Sequence, residues 1–159
     1  MARYNKIRKT DVSDGPGIRV SVFFQGCAYH CEGCFNENTW DFEAGTEWTE
    51  AEVLQVLELA KNERIKGLSI LGGEPLHPAN VDAACELAKR FKEAYPDKTV
   101  WLWTGNVLEN VKDLEILKYL DVLVDGQFKI ELKDFRLKYA GSSNQRVWDL
   151  KTMTLMDNY

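Results

Sequence analysis

The stretch Gly67-Leu68-Ser69-Ile70-Leu71-Gly72-Gly73, followed by the apolar stripe Val81, Ala84, Cys85, Ala88 and Phe91 and then by Thr99-Val100-Trp101-Leu102-Trp103-Thr104-Gly105, sets the fold class. Two short apolar runs that end at glycine read as buried strands, and the three- and four-residue apolar spacing between them reads as an amphipathic helix. Pro96 falls just past the end of that helix. Strand, helix, strand in this order is the unit of a parallel sheet.

The same alternation extends outward. Upstream, Arg19 to Gly26 (R-V-S-V-F-F-Q-G) reads as a first strand. Thr49 to Asn62 reads as a helix with Val53, Leu54, Leu57 and Ala60 on its apolar side, Thr49 as its N-cap and Glu52 completing a capping box. Downstream, Leu108 to Tyr119 reads as a further helix and Val122 to Phe128 as a fourth strand. Four strands are too few for a closed eight-fold barrel, so the expected fold is α/β, an open or partial β/α barrel of parallel strands with flanking helices, in a single domain over residues 1–159. Beyond Lys129 the pattern weakens. The mixed charge run Lys129 to Lys138 reads as a solvated helical face, Gly141 to Asn144 as a turn, and Arg146 to Leu150 as a short edge strand.

Composition is that of an ordinary globular protein, with 45% hydrophobic and 28% charged residues. A formal net charge of -5 argues against a broad cationic surface for nucleic acid. Met1 to Asp14 is polar and carries both charge signs, unlike an export signal, and no run approaches the ~18 apolar residues of a membrane span. The expectation is a cytoplasmic protein with no membrane and no nucleic-acid partner.

Of four cysteines, Cys27, Cys31 and Cys34 crowd into one loop as C-x3-C-x2-C, directly after the first strand. This spacing lets a tight loop present three thiolates to a compact inorganic core. A structural zinc ion wants four protein ligands and would have to recruit His30 or Cys85. Cys85 lies on the apolar stripe of a helix, where a cysteine behaves as a small hydrophobe. With three ligands, a four-iron cluster keeps one iron without a protein donor, and an open position is where a cosubstrate binds.

Other unusual residues fall at the carboxyl ends of the expected strands, where ligands gather in α/β sheets. Gly72-Gly73-Glu74-Pro75 closes one strand, Thr104-Gly105 the next, and Asp125-Gly126 interrupts the last. Each alone is a common turn. His77 reads as a surface or capping residue, and both Trp101 and Trp103 as core.

The triplet followed by the aromatic Phe35, together with Gly72-Gly73-Glu74-Pro75, resembles the radical S-adenosylmethionine enzymes. The stretch Asp14-Gly15-Pro16-Gly17-Ile18-Arg19 leading into the first strand is similar to the glycyl-radical enzyme activating branch of that family. The resemblance implies a radical-SAM-type partial barrel. Cys27, Cys31 and Cys34 would hold a 4Fe-4S cluster, and Gly33, Cys34, Phe35, Gly72, Gly73, Glu74, Thr104 and Asp125 would contact S-adenosyl-L-methionine. Phe35 stands where tyrosine is the expected aromatic and would lie near the adenine. The cluster's electron would cleave the sulfonium to a 5'-deoxyadenosyl radical, which takes hydrogen from a glycine of a partner. Small size, V-D-G-Q-F and Gly141-Ser142-Ser143-Asn144-Gln145-Arg146 point to the large glycyl-radical subunit of anaerobic ribonucleotide reductase as that partner, with a reduced flavodoxin-like electron donor. Another glycyl-radical enzyme such as pyruvate formate-lyase, a small-molecule substrate as in deazapurine-forming relatives, and a non-enzymatic zinc module are the alternatives.

Overall fold

The structure is a computed structural model that describes residues 2–159. Its first element is a strand that a search for apolar runs passes over, Arg3–Asp11 (β1), because R-Y-N-K-I-R-K-T-D alternates charge with Tyr4 and Ile7. Ile18–Phe24 (β2) and the two-residue Thr46–Glu47 (β3) precede the helix Glu50–Leu59 (α1). Ile65–Gly72 (β4), the helix Val81–Ala94 (α2) and Thr99–Trp103 (β5) follow as the sequence predicts. A single helical turn Leu108–Val111 (α3), then Val122–Asp125 (β6), Arg146–Asp149 (β7) and Thr154–Leu155 (β8), complete the order.

All eight strands join one sheet in the order β3-β1-β2-β4-β5-β6-β7-β8, which does not close on itself. The four central strands β2, β4, β5 and β6 are parallel, and the pairings outside them are antiparallel. Register aligns Val22 with Ile70 and Ile70 with Leu102, and Leu102 with Leu123, so one apolar row crosses the sheet. That row is buried in the main core with Val53 and Val56 of α1 and Leu87, Ala88 and Phe91 of α2. The opposite face is polar where Ser21 pairs with Ser69, and beyond them carries a second apolar cluster of Trp101, Val122, Val124 and Val147.

Local chemistry explains the helices. The Thr49 N–H donates to Glu52 Oε1 at 2.7 Å and the Ala51 N–H to Thr49 Oγ1 at 3.3 Å, the expected capping box. Leu54, expected on the apolar side of α1, is exposed, and Val56 is buried in its place. The helix expected over Leu108 to Tyr119 is broken into α3 and a 3-10 turn at Glu115–Tyr119. In an unbroken helix Val111 and Ile116 would point about 140° apart. An extended Leu114 lets both reach the core. The charge run after Lys129 is not the expected helix: only Ile130–Leu132 makes a 3-10 turn, and the rest is an irregular strap.

At the amino ends of the parallel strands Arg19 is fully buried. Its Nε donates to Ser69 Oγ at 2.8 Å, its Nη1 to Thr99 Oγ1 at 3.0 Å and Pro16 O at 3.2 Å, and its Nη2 to Thr99 O at 2.9 Å and Leu68 O at 3.0 Å. No helix among the described residues is long and apolar enough to cross a membrane.

Candidate functional site

The opposite ends of the same strands carry the site. Where β2 runs out, the Gly26 N–H donates to Thr39 O at 2.6 Å and the Cys27 N–H to Trp40 O at 3.1 Å, so the cysteine loop is pinned at its base. The end of β4 is drawn against that base by Gly73 N–H to Phe24 O at 3.1 Å and Glu74 N–H to Gly26 O at 2.7 Å. A side chain on Gly72 would lie 2.3 Å from Phe24 O, and one on Gly73 2.4 Å from Gly26 O. Both glycines are therefore required by neighbouring backbone, a reason distinct from the close ligand approach that sequence alone suggests.

A cavity of 490 Å³ opens here, within the range of small-molecule sites. Of the residues singled out from sequence, Cys27, Cys31, Cys34, Phe35, Gly72, Gly73, Glu74 and Thr104 all line it. Gly33 does not: it packs beneath Ile130, whose Cδ1 would lie 2.4 Å from an added Cβ. Asp125 does not either. Its carboxylate faces away, accepting from the Leu108 N–H at 2.7 Å, Arg146 Nη2 at 2.6 Å and Trp148 Nε1 at 3.2 Å, while Gly126 and Gln127 turn toward the cavity.

Glu74 is buried and ties two strand ends together. Its Oε2 accepts from Thr104 Oγ1 at 2.7 Å and the Leu76 N–H at 2.9 Å, and its Oε1 accepts from the Gly105 N–H at 2.7 Å. Burial pushes its carboxyl up, against the pull of those donors. The Cys27 thiol is likewise raised by burial, with Glu74 and Cys34 adding to the shift and the Tyr29 and His30 backbone N–H groups opposing it. Burial also raises Cys31, and the neighbouring Cys27 and Cys34 raise it further. The Asn36 N–H donates to Cys34 Sγ at 3.3 Å.

Three sulfurs from one loop, with Cys27 and Cys31 raised by burial and backbone donors aimed at sulfur, suit a cationic iron cluster, whose charge favours the thiolates. A zinc ion fits poorly. His30 lies flat on Trp40, with ring centroids 4.5 Å apart, and Cys85 sits on α2 with Sγ 3.7 Å from Glu115 Oε2. Among the described residues no three or more His, Cys, Asp and Glu side chains group as a site for one ion. Cys85 is half-buried at the margin of the core, short of the buried position expected of it.

Sequence reasoning passed over several lining residues. Trp103 lies on the cavity side, its Nε1 donating to Tyr139 O at 2.7 Å, whereas Trp101 is core as expected. His77 plays the expected local part, its Nδ1 accepting from the Ala79 N–H at 3.0 Å. The tail motif has a clear structural use: Gln145 Oε1 accepts from the Gly141 and Ser142 N–H groups at 3.0 and 3.1 Å, and its Nε2 donates to Gly126 O at 3.1 Å. Gln145 thus clasps the strap to the end of β6. Asp14 also lines the cavity, beside the buried Asp11. Burial, a shared hydrogen bond with Asp11 and that residue's charge push Asp14 up to about 7, against Arg8 and Lys6.

A family model described as "4Fe-4S single cluster domain" matches residues 13–148, from the loop before β2 into β7. An anaerobic ribonucleoside-triphosphate reductase-activating protein of Vibrio cholerae is 42% identical over 146 residues, covering 89% of this chain and 94% of its own. Those of Enterobacteria phage T4 and Escherichia coli (strain K12) are 40% and 39% identical, covering 91% and 93% of this chain and 92% and 99% of their own. The chain belongs to this family of activating proteins. The resemblance carried by the triplet and the strand-end motifs is thereby borne out, and the span matched by the family model includes both Asp14 to Arg19 and Gly141 to Arg146.

Proposed function

We propose that this activating protein is a radical S-adenosylmethionine enzyme that places a glycyl radical on the large subunit of anaerobic ribonucleotide reductase. One observation carries the reading: three thiols from one loop line a 490 Å³ cavity to which neither His30 nor Cys85 brings a fourth ligand. Cys27, Cys31 and Cys34 would hold a 4Fe-4S cluster, which when bound supplies the electron that splits the sulfonium and yields the hydrogen-abstracting 5'-deoxyadenosyl group.

The chain's own residues account for binding and orientation. Backbone at Gly72 and Gly73 is held in place by the end of β2 and suits the methionine amino group of S-adenosyl-L-methionine. Glu74 fixes Thr104 and Gly105 as one wall. Phe35, tilted against Phe128 with centroids 5.1 Å apart, offers an aromatic surface for the adenine. Trp103 and Phe128 line the cavity with apolar surface that excludes water. We read the open sheet as a partial barrel of the radical-SAM type, the chain as one domain over residues 1–159, the electron donor as a reduced flavodoxin-like protein, and the location as the cytoplasm.

Anaerobic protein reconstituted with iron and sulfide, then reduced with S-adenosylmethionine and the reductase subunit, should give 5'-deoxyadenosine and a glycyl radical signal in electron paramagnetic resonance. Cofactor cleavage with no radical on the subunit would move the target to another glycyl-radical enzyme. No cleavage at all would overturn the reading.

A further inference from the structure

The strap expected to be a solvated helix instead runs along the mouth of the cavity and leaves aromatic surface uncovered. Phe135 is 86% exposed and Phe35 63% exposed. The Lys133 ammonium lies between them, 5.4 Å from the centroid of Phe35 and 4.6 Å from that of Phe135. Single exposed apolar side chains are normal on a protein surface. Two phenylalanines around one opening, bridged by the Lys133 ammonium, form an aromatic surface of the kind enriched at protein interfaces, with a cation beside it to set charge preference.

The strap is built to hold this surface in place. The Asp134 N–H donates to Gly141 O at 3.1 Å, the Ser143 N–H to Leu132 O at 2.9 Å, and the Lys138 N–H to Asn158 O at 2.7 Å. A surface ordered before binding loses little conformational entropy when a partner arrives. Charge adds a direction. Arg136 is spent on Asp134, with Nη2 2.8 Å from Oδ2, whereas among the described residues Lys133 and Lys138 make no ion pair. Two unpaired cations at the opening of a chain of net charge -5 ask for carboxylates from outside.

We infer that Phe135 and Lys133 form a docking lip for the glycine-bearing segment of the large reductase subunit, a polypeptide that brings an apolar side chain to Phe135 and a carboxylate to Lys133. The inference rests on the function proposed above. It goes further in stating which surface receives the protein substrate and by what chemistry.

The test is anaerobic titration of reconstituted protein with the large subunit, read as Kd, beside glycyl radical yield. Phe135→Ala should weaken binding about tenfold or more, as truncating an aromatic anchor does. Lys133→Ala should weaken it less and flatten its dependence on salt. Leu155→Ala removes a comparably exposed apolar side chain, 59% exposed on β8, and should leave Kd unchanged. Wild-type protein that binds and activates the subunit while Phe135→Ala binds equally well would overturn the lip alone. Equal weakening by Leu155→Ala would overturn it too, by showing that any exposed apolar residue contributes. Wild-type protein that neither binds the subunit nor radicalises it would overturn the choice of partner, and the lip with it.

Discussion

At the amino ends of β2, β4 and β5 all five donors of the Arg19 guanidinium are satisfied by protein acceptors, whereas at the carboxyl ends of the same strands three thiols and a glycine-rich turn face a cavity. The two ends share one sheet, one twist and one alternation of side chains. They differ in what fills them. Burial lowers Arg19 to about 10, so it stays charged at neutral pH and its end is a finished polar plug. The cysteine end has its backbone pinned by hydrogen bonds while its sulfurs line the cavity, where burial raises Cys27 and Cys31. The packed end gives stability and the cavity end gives chemistry, so substitutions at the two ends should fail in different assays.

The largest effect belongs to the cavity end. Alanine at Cys27, Cys31 or Cys34 should abolish cluster-dependent cleavage of S-adenosylmethionine while leaving the thermal unfolding of the metal-free protein nearly unchanged. Cleavage comparable to wild type in any of the three would falsify the ligand assignment. Next comes the plug. Arg19→Ala empties a fully buried position and strands its acceptors, at a cost of about 3–5 kcal/mol. Denaturant melts should show that loss, and a stability within error of wild type would remove the plug from the comparison.

Glu74 belongs to the cavity end, but its carboxylate is taken up by protein donors, so its effect should be intermediate. Glu74→Gln replaces an acceptor of three donors with a group that must itself donate. Cleavage should fall about ten- to hundredfold, the usual range for outer-shell partners, with the spectrum of the cluster retained. Loss of the cluster itself would instead make Glu74 part of its support.

At neutral pH the smallest effect lies between the ends, at Asp14. Its backbone O accepts from Ser69 Oγ at 2.6 Å beside the plug, while the residue lines the cavity. A carboxyl raised in the folded state binds its proton more tightly folded than unfolded. Its contribution to stability is therefore full below about pH 4 and is lost as pH rises toward 7. Asp11 does not mask this. Burial raises it, but its neighbours Asp14 and Ser21, the Ser13 N–H and the charge of Arg8 bring it below its ordinary value, so it titrates beneath that window. The free energy of unfolding measured across this range should fall with pH in wild type relative to Asp14→Asn. Parallel curves would contradict the raised carboxyl.

What could be read from sequence follows the same division. β2, β4, β5 and β6 were legible because each is an apolar run buried on both faces. β1 was not, since a strand with one wet side, covered on its outer edge only by the two-residue β3, needs few apolar residues, and Tyr4 and Ile7 alone carry its contact with the core. The cysteine triplet and the strand-end turn were legible because chemistry fixes their spacing. Asp125 and Trp103 were misread for a shared reason: alternation along a strand says that two residues face opposite ways but not which way is open. The strap was misread because mixed charge suggests a wet helix, and nothing local shows that Gln145 would clasp it to β6.

The central claim is that three sulfurs and no fourth side chain hold the cluster. The direct measurement is electron paramagnetic resonance of the reduced, anaerobically reconstituted protein, with and without S-adenosylmethionine, in wild type and in Cys85→Ala and His30→Ala. The expected result is about four irons per chain in all three, and a signal that shifts on adding the cosubstrate in each. A wild-type signal that ignores S-adenosylmethionine, or a cluster lost when His30 or Cys85 is replaced, would contradict it.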